Sequence, residues 1–295
     1  MSASAEAVAM QKDGGSVAFR LLLGTYAFAR VLQVYPGRTP MIVVVALHVV
    51  PPAVFALWHG TRLYGRRAIL IFFAISLTVG NAFENLGIRT GFPYGHYYFT
   101  DLMGPKFAGI PVLLGLAYVG MAYLSWIVAG AILGGGVRVE GRRRITLPLL
   151  AALIIMVWDL CQDPVWSTIL HAWVWADGGA YFGVPLTNFF GWYLTVYVIF
   201  QLFALYLSRH VNATPPSPGY LRQAVLFYAV SAAGNVFLIL PNTRPSMISD
   251  SAGAQWRVRD ITEACALVTV FTMGAFATLA WARLAEQRRV IRQPR

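Results

Sequence analysis

The chain has 295 residues, of which 58% are apolar and 12% charged, with a mean hydropathy of +0.60 and a formal net charge of +11. A soluble domain of this length needs far more charge to cover its surface, which leaves lipid as the solvent. Excess arginine in a membrane protein belongs on cytoplasmic loops, so the positive charge gives no argument for a nucleic-acid partner.

The first sixteen residues are polar and lack the apolar core of a cleaved signal peptide. Val17–Tyr35 is an apolar stretch interrupted by Arg20 and Arg30, which are expected to snorkel towards an interface if it spans. Seven clearer spans follow, each near the roughly 20 residues a helix needs to cross hydrocarbon. They are Pro40–Trp58, Ala68–Leu86, Ala108–Leu133, Ile145–Ile169, Thr187–Leu207, Tyr220–Leu240 and Ile261–Trp281. Pro51 and Pro52 are expected to kink the first, and Pro164 to break or kink the fourth. The expected fold is all-α, a polytopic transmembrane helical bundle of seven or eight spans. A single catalytic domain is expected over 40–285, preceded by 1–39 and followed by a basic cytoplasmic tail over 286–295.

Alternating spans place Arg62, Arg66, Arg67, Arg138, Arg142, Arg143, Arg144, Arg209, Arg222, Arg283, Arg288, Arg289, Arg292 and Arg295 on one side. The other side keeps Arg89, Lys106, Arg244, Arg257 and Arg259. The expected setting is a prokaryotic cell membrane, and the bias predicts that the C-terminus lies in the cytoplasm. Two loops on the opposite side, Arg89–Asp101 and His171–Trp192, are dense in Gly, Pro and aromatic residues. Interfacial belts account for some of these aromatics, and Gly and Pro fix turns. Together the loops are expected to form an ordered lid.

Charged groups inside spans are costly and tend to face a cavity, which singles out Glu84, Asp159 and Asp163. Asn81 lies one turn before Glu84, and Asp159 and Asp163 are four apart, so each pair is expected on one helical face. All of these, with Glu263, fall towards the lid ends of their helices and could converge at one depth. Glu263 sits close to water and is expected to pair with Arg89, Arg257 or Arg259 instead. His48 is expected to be a hydrogen-bonded packing residue. No metal-ligand spacing appears among the five histidines, so no metal and no cofactor are expected. Cys161 and Cys265 read as small core residues. Asp159-x-x-x-Asp163 has the form of a diphosphate–magnesium motif, but no second acidic motif accompanies it. A retinal protein needs a lysine late in the bundle, and the lysines are Lys12 and Lys106.

Glu84-Asn-Leu-Gly-Ile-Arg-Thr-Gly-Phe-Pro-Tyr-Gly-His-Tyr-Tyr98, Gly104-Pro-Lys, Gly109-Ile-Pro111, Asp159-Leu-Cys-Gln-Asp-Pro164, Trp173-Val-Trp175 and Tyr181–Trp192 occur in that order. This set resembles the carotenoid 1,2-hydratase family, CruF-type membrane proteins also called bisanhydrobacterioruberin hydratases. The resemblance covers Leu47–Leu207 and fades beyond. It implies addition of water across the terminal C1–C2 double bond of an acyclic carotenoid, with carotenoid, water and membrane lipid as partners. Protonation of such an alkene leaves a tertiary cation for water to capture. The chemistry asks for a protonated acid, a base, a positioned water and aromatic faces that stabilise the cation. A carboxyl among apolar groups can stay protonated at neutral pH. Asp159 is assigned as donor, Glu84 as the group that orients water or accepts its proton, and Asp163 as the group that tunes the donor. Asn81, Tyr94, Tyr97, Trp158, Trp166, Trp173, Trp175, Asn188 and Trp192 are the candidate substrate-binding residues. An acid-initiated carotenoid or terpenoid cyclase, and a carotenoid-binding membrane protein without catalysis, are the alternatives.

Overall fold

A computed structural model describes residues 17–35, 37–134, 139–210, 216–240 and 245–292. The segment before Val17, together with Arg138, Arg244 and Arg295, lies outside the described residues. The chain is a helical bundle. Its helices are α1 (Val17–Leu32), α2 (Met41–Tyr64), α3 (Arg66–Thr90), α4 (Val112–Ile132), α5 (Arg143–Leu160), α6 (Leu186–His210), α7 (Pro218–Phe237), α8 (Val258–Thr269) and α9 (Ala275–Arg292). A π-helical turn, Val270–Gly274, joins α8 to α9 as one long rod. Among the described residues, six of the resulting helices are long and apolar enough to cross a membrane. Shorter and more polar, α7 packs among them against α1, α4 and α9.

The centre of the bundle is α4. It is apolar on every side, and residues all round it are buried, as a helix enclosed by other helices should be. Helix α2 crosses it closely. A Cβ on Gly120 would lie 2.8 Å from the Ala53 nitrogen and 3.0 Å from the Pro52 carbonyl carbon, so glycine is what permits this approach. Pro51 and Pro52 lie inside α2, and Pro52 abuts that crossing.

Two local expectations are corrected. Arg30 does not snorkel: it is 2% exposed, and its guanidinium donates to the Ser231 carbonyl at 3.2 Å and to the Asn235 side chain. Helix α1 packs against α2 and α7, so an arginine on its inner face meets backbone and amide oxygens before it can reach water. The fourth span does not break at Pro164. Helix α5 ends at Leu160, Cys161 and Gln162 form a turn, and Pro164 precedes a π-helical turn over Val165–Ile169. Proline tolerates the start of a helical segment, so the break falls before it.

Three connections lie at one end of the bundle. The link between α3 and α4 contains β1 (Tyr97–Phe99), β2 (Lys106–Phe107) and β3 (Ile110–Pro111). The link between α5 and α6 holds β4 (Trp173–Trp175), and that between α7 and α8 holds β5 (Met247–Ser249) and β6 (Gln255–Arg257). Strands β1 and β4 pair antiparallel, Tyr97 opposite Trp175 and Phe99 opposite Trp173. The two aromatic loops therefore form one lid. The third loop docks on it through the Ser251 hydroxyl, which donates to the Trp175 carbonyl.

Candidate active site

Beneath the lid lies a cavity of about 80 Å³. Glu84, Asp159 and Asp163 all line it, and each is at most 3% exposed. Tyr94, Tyr97, Trp158, Trp166, Trp173, Trp175, Asn188 and Trp192 line it as well. The strand pleat puts the lid aromatics there. Side chains alternate along a strand, so Tyr97 and Phe99 of β1 point inward together while Tyr98 is exposed.

The carboxyls differ in their donors. Asn188, in the first turn of α6, shares its amide nitrogen between Asp159 Oδ2 at 3.0 Å and Asp163 Oδ2 at 2.7 Å. Asp163 Oδ1 accepts from the indoles of Trp173 at 3.0 Å and Trp175 at 3.3 Å. Glu84 accepts from the Tyr118 hydroxyl at 2.6 Å and from the Tyr97 hydroxyl. Burial, followed by the neighbouring Glu84 charge, pushes the phenols of Tyr94 and Tyr97 well up, so both remain neutral hydroxyls. Tyr94 in turn bonds Thr195 Oγ1 at 2.7 Å. The aromatic walls are braced against each other, with Tyr118 stacked on Trp192 at 4.7 Å and Tyr97 packed on Trp175 at 5.0 Å. On the residues that line the cavity, two buried polar atoms have no hydrogen-bond partner among the described residues: the donor Trp158 Nε1 and the acceptor Asn188 Oδ1.

Two candidates fall elsewhere. Asn81 does not line the cavity; its amide donates back to the Leu77 carbonyl at 2.8 Å, one turn earlier on α3. Three residues on a helix subtend roughly 300°, not a full turn, so Asn81 and Glu84 diverge once only a narrow face is buried. Glu263 does not join the other carboxyls; it is exposed and pairs with Arg259 at 2.6 Å, one of the partners expected for it. Conversely, sequence reasoning missed Tyr118, Phe99 and Gln162. Gln162 lies inside the acidic motif and Phe99 continues the alternation from Tyr97, which are usable signals. Tyr118 sits in a uniformly apolar helix and carried none. His48 is hydrogen-bonded as expected, to Val44 O at 2.7 Å and Gln33 Oε1 at 2.9 Å, and it also borders the cavity. Among the described residues no three His, Cys, Asp or Glu side chains are grouped as metal ligands would be.

These features define a polytopic helical protein with a lidded, aromatic-walled cavity that contains buried carboxyl groups. Residues 39–251 match the family described as "Carotenoid biosynthesis protein", and the chain belongs to that family. It is 29% identical over 149 residues to a protein of Haloarcula japonica named "Bisanhydrobacterioruberin hydratase". That match takes in 50% of this chain and 48% of the relative, so the chain spans about half the length of the curated relative it matches. No solved structure matches it.

Proposed function

We propose that this protein is a carotenoid hydratase, adding water across the terminal C1–C2 double bond of an acyclic carotenoid end group. The observation that carries this reading is the cavity itself: apolar and aromatic walls for an end group, with three buried carboxyls and no other strong acid among its lining residues. An ionised carboxylate accepts hydrogen bonds only, and donors aimed at it favour the ionised form. Among the described residues Asp163 receives three donors and Glu84 two, whereas Asp159 receives one, from the amide it shares with Asp163. Asp159 is therefore the proton donor. It protonates C2, and the positive charge forms at C1, facing the Trp158, Trp192 and Tyr97 rings. Water adds to C1 and its proton passes to Glu84, leaving a tertiary alcohol; proton return to Asp159 closes the cycle. Asp163, tied to the donor through Asn188, tunes it. Trp158 Nε1 and Asn188 Oδ1 are the unpaired donor and acceptor able to hold the water. The reaction runs in a cell membrane with the lid outside and the C-terminus in the cytoplasm.

The test is pigment analysis of a lycopene-producing bacterium that expresses this chain. The expected product is heavier than lycopene by one or two waters. A product of unchanged mass with a ring would replace hydration by cyclisation, which shares the protonation but quenches the cation with an internal alkene.

A further inference from the structure

The lid has chemistry on both faces. Tyr97, Phe99, Trp173 and Trp175 line the carboxyl cavity, whereas Tyr98 and Val174, in between along the strands, line a second cavity. That cavity is about 310 Å³ and sits between the lid and the loop carrying β5 and β6. Its wall is more polar than that of the carboxyl cavity: Ser167, Thr168, Ser249, Asp250 and Ser251 contribute hydroxyls and a carboxylate. Trp175 belongs to both walls. Its indole donates to Asp163 Oδ1 at 3.3 Å, and its backbone oxygen accepts from Ser251. Ser167 also joins the two, since its hydroxyl donates to the Asp163 carbonyl at 2.8 Å.

Hydration consumes one water per turnover, and a cavity walled mostly by aromatic and aliphatic groups is a poor reservoir for it. We propose that the polar cavity is a water-binding vestibule from which water passes the Trp175 indole to the carboxyls, so that water and carotenoid reach the cation by separate routes. This rests on the hydration reading above. The hydrogen bonding suits a side-chain gate. The Trp173 indole holds the same Asp163 oxygen at 3.0 Å, so Trp175 can swing away without freeing that carboxylate. The strand pairing of β1 with β4 stays intact while it does so. Water is then admitted singly, and the cation meets no bulk solvent.

The test uses the full chain in membrane vesicles, with Ser249→Cys or Tyr98→Cys, two positions on opposite sides of the vestibule. Cys161 and Cys265 are buried, so the native chain is the labelling control. Each variant is treated with a methyl or with a bulky, charged methanethiosulfonate and compared with its own unlabelled rate. The bulky label should lower kcat for hydrated carotenoid roughly tenfold at unchanged KM for carotenoid, the methyl label much less, and thiol reductant should restore the rate. Complete bulky labelling at either position with unchanged kcat would overturn the water route. So would a raised KM with kcat unchanged, which makes the vestibule part of the carotenoid path. If the native chain forms no hydrated carotenoid, the hydration reading fails and takes this proposal with it. Normal turnover by the native chain and by fully labelled variants removes the vestibule alone.

Discussion

At the scale of residues, the proposed roles separate by what each side chain touches. Asp159→Asn keeps volume and most hydrogen bonding but cannot protonate an alkene, so the hydrated product should vanish while the protein still accumulates in the membrane fraction. Near-native yield from that variant would move the acid to Glu84. Asn188→Leu removes the amide that bridges Asp159 and Asp163. A hydrogen bond to a charged group is worth about 1.5–3 kcal/mol. Lost from the transition state, that is roughly a tenfold to hundredfold fall in kcat, read as product formed per enzyme with carotenoid in excess. Glu263→Gln breaks only an exposed ion pair. Hydration by that variant should stay within about twofold of native, because such pairs contribute little; a collapse would return Glu263 to the site. The carboxyls in the cavity were legible because charge inside an apolar span is rare. Tyr118 was not, since its hydroxyl meets Glu84 from 34 residues away and nothing local to it marks the pairing. Asn81 was misread because shared helical periodicity does not say how wide the buried face is.

At the scale of elements, the lid and the helix crossing depend on different physics. The lid was readable in part: Trp173-Val-Trp175 alternates as a strand does, and the structure pairs it with Tyr97–Phe99. Which loop would supply the partner strand was not readable, because β1 and β4 lie in separate links and register is set by tertiary contact. The crossing of α2 on α4 was also hidden, since Gly120 is one small residue in an apolar run. Its consequence is measurable. Gly120→Ala puts a methyl group 2.8 Å from α2 backbone and should destabilise the fold by about 1–3 kcal/mol, the usual cost of overpacking. Thermal unfolding in detergent reads this, with Gly24→Ala as control, because nothing lies within 4 Å of a Cβ there. Equal melting of the two variants would mean that the helices do not approach so closely.

At the scale of the whole molecule, the bundle is polar in two senses. All three strand-bearing links lie at one end, where Arg38, Arg89, Lys106, Arg257 and Arg259 are described cations. Arg62, Arg66, Arg67, Arg142, Arg143, Arg144, Arg209, Arg222 and Arg283 lie at or near the other end, where Gln201 caps Arg144 and Gln287 reaches Gly134. Positive charge near span ends resists transfer across the membrane, so the arginine-rich end is expected to stay cytoplasmic and the lid to face outward. Helix α9 runs towards the arginine-rich end, because α8 starts at the lid and the rod does not reverse. A reporter fused after Arg295 should therefore fluoresce as a green fluorescent protein fusion and be inactive as an alkaline phosphatase fusion. A phosphatase inserted in the loop between β5 and β6, at Gly253, should behave oppositely. Phosphatase activity at the C-terminus with none at Gly253 would invert the protein, and water would then reach the lid from the cytoplasm.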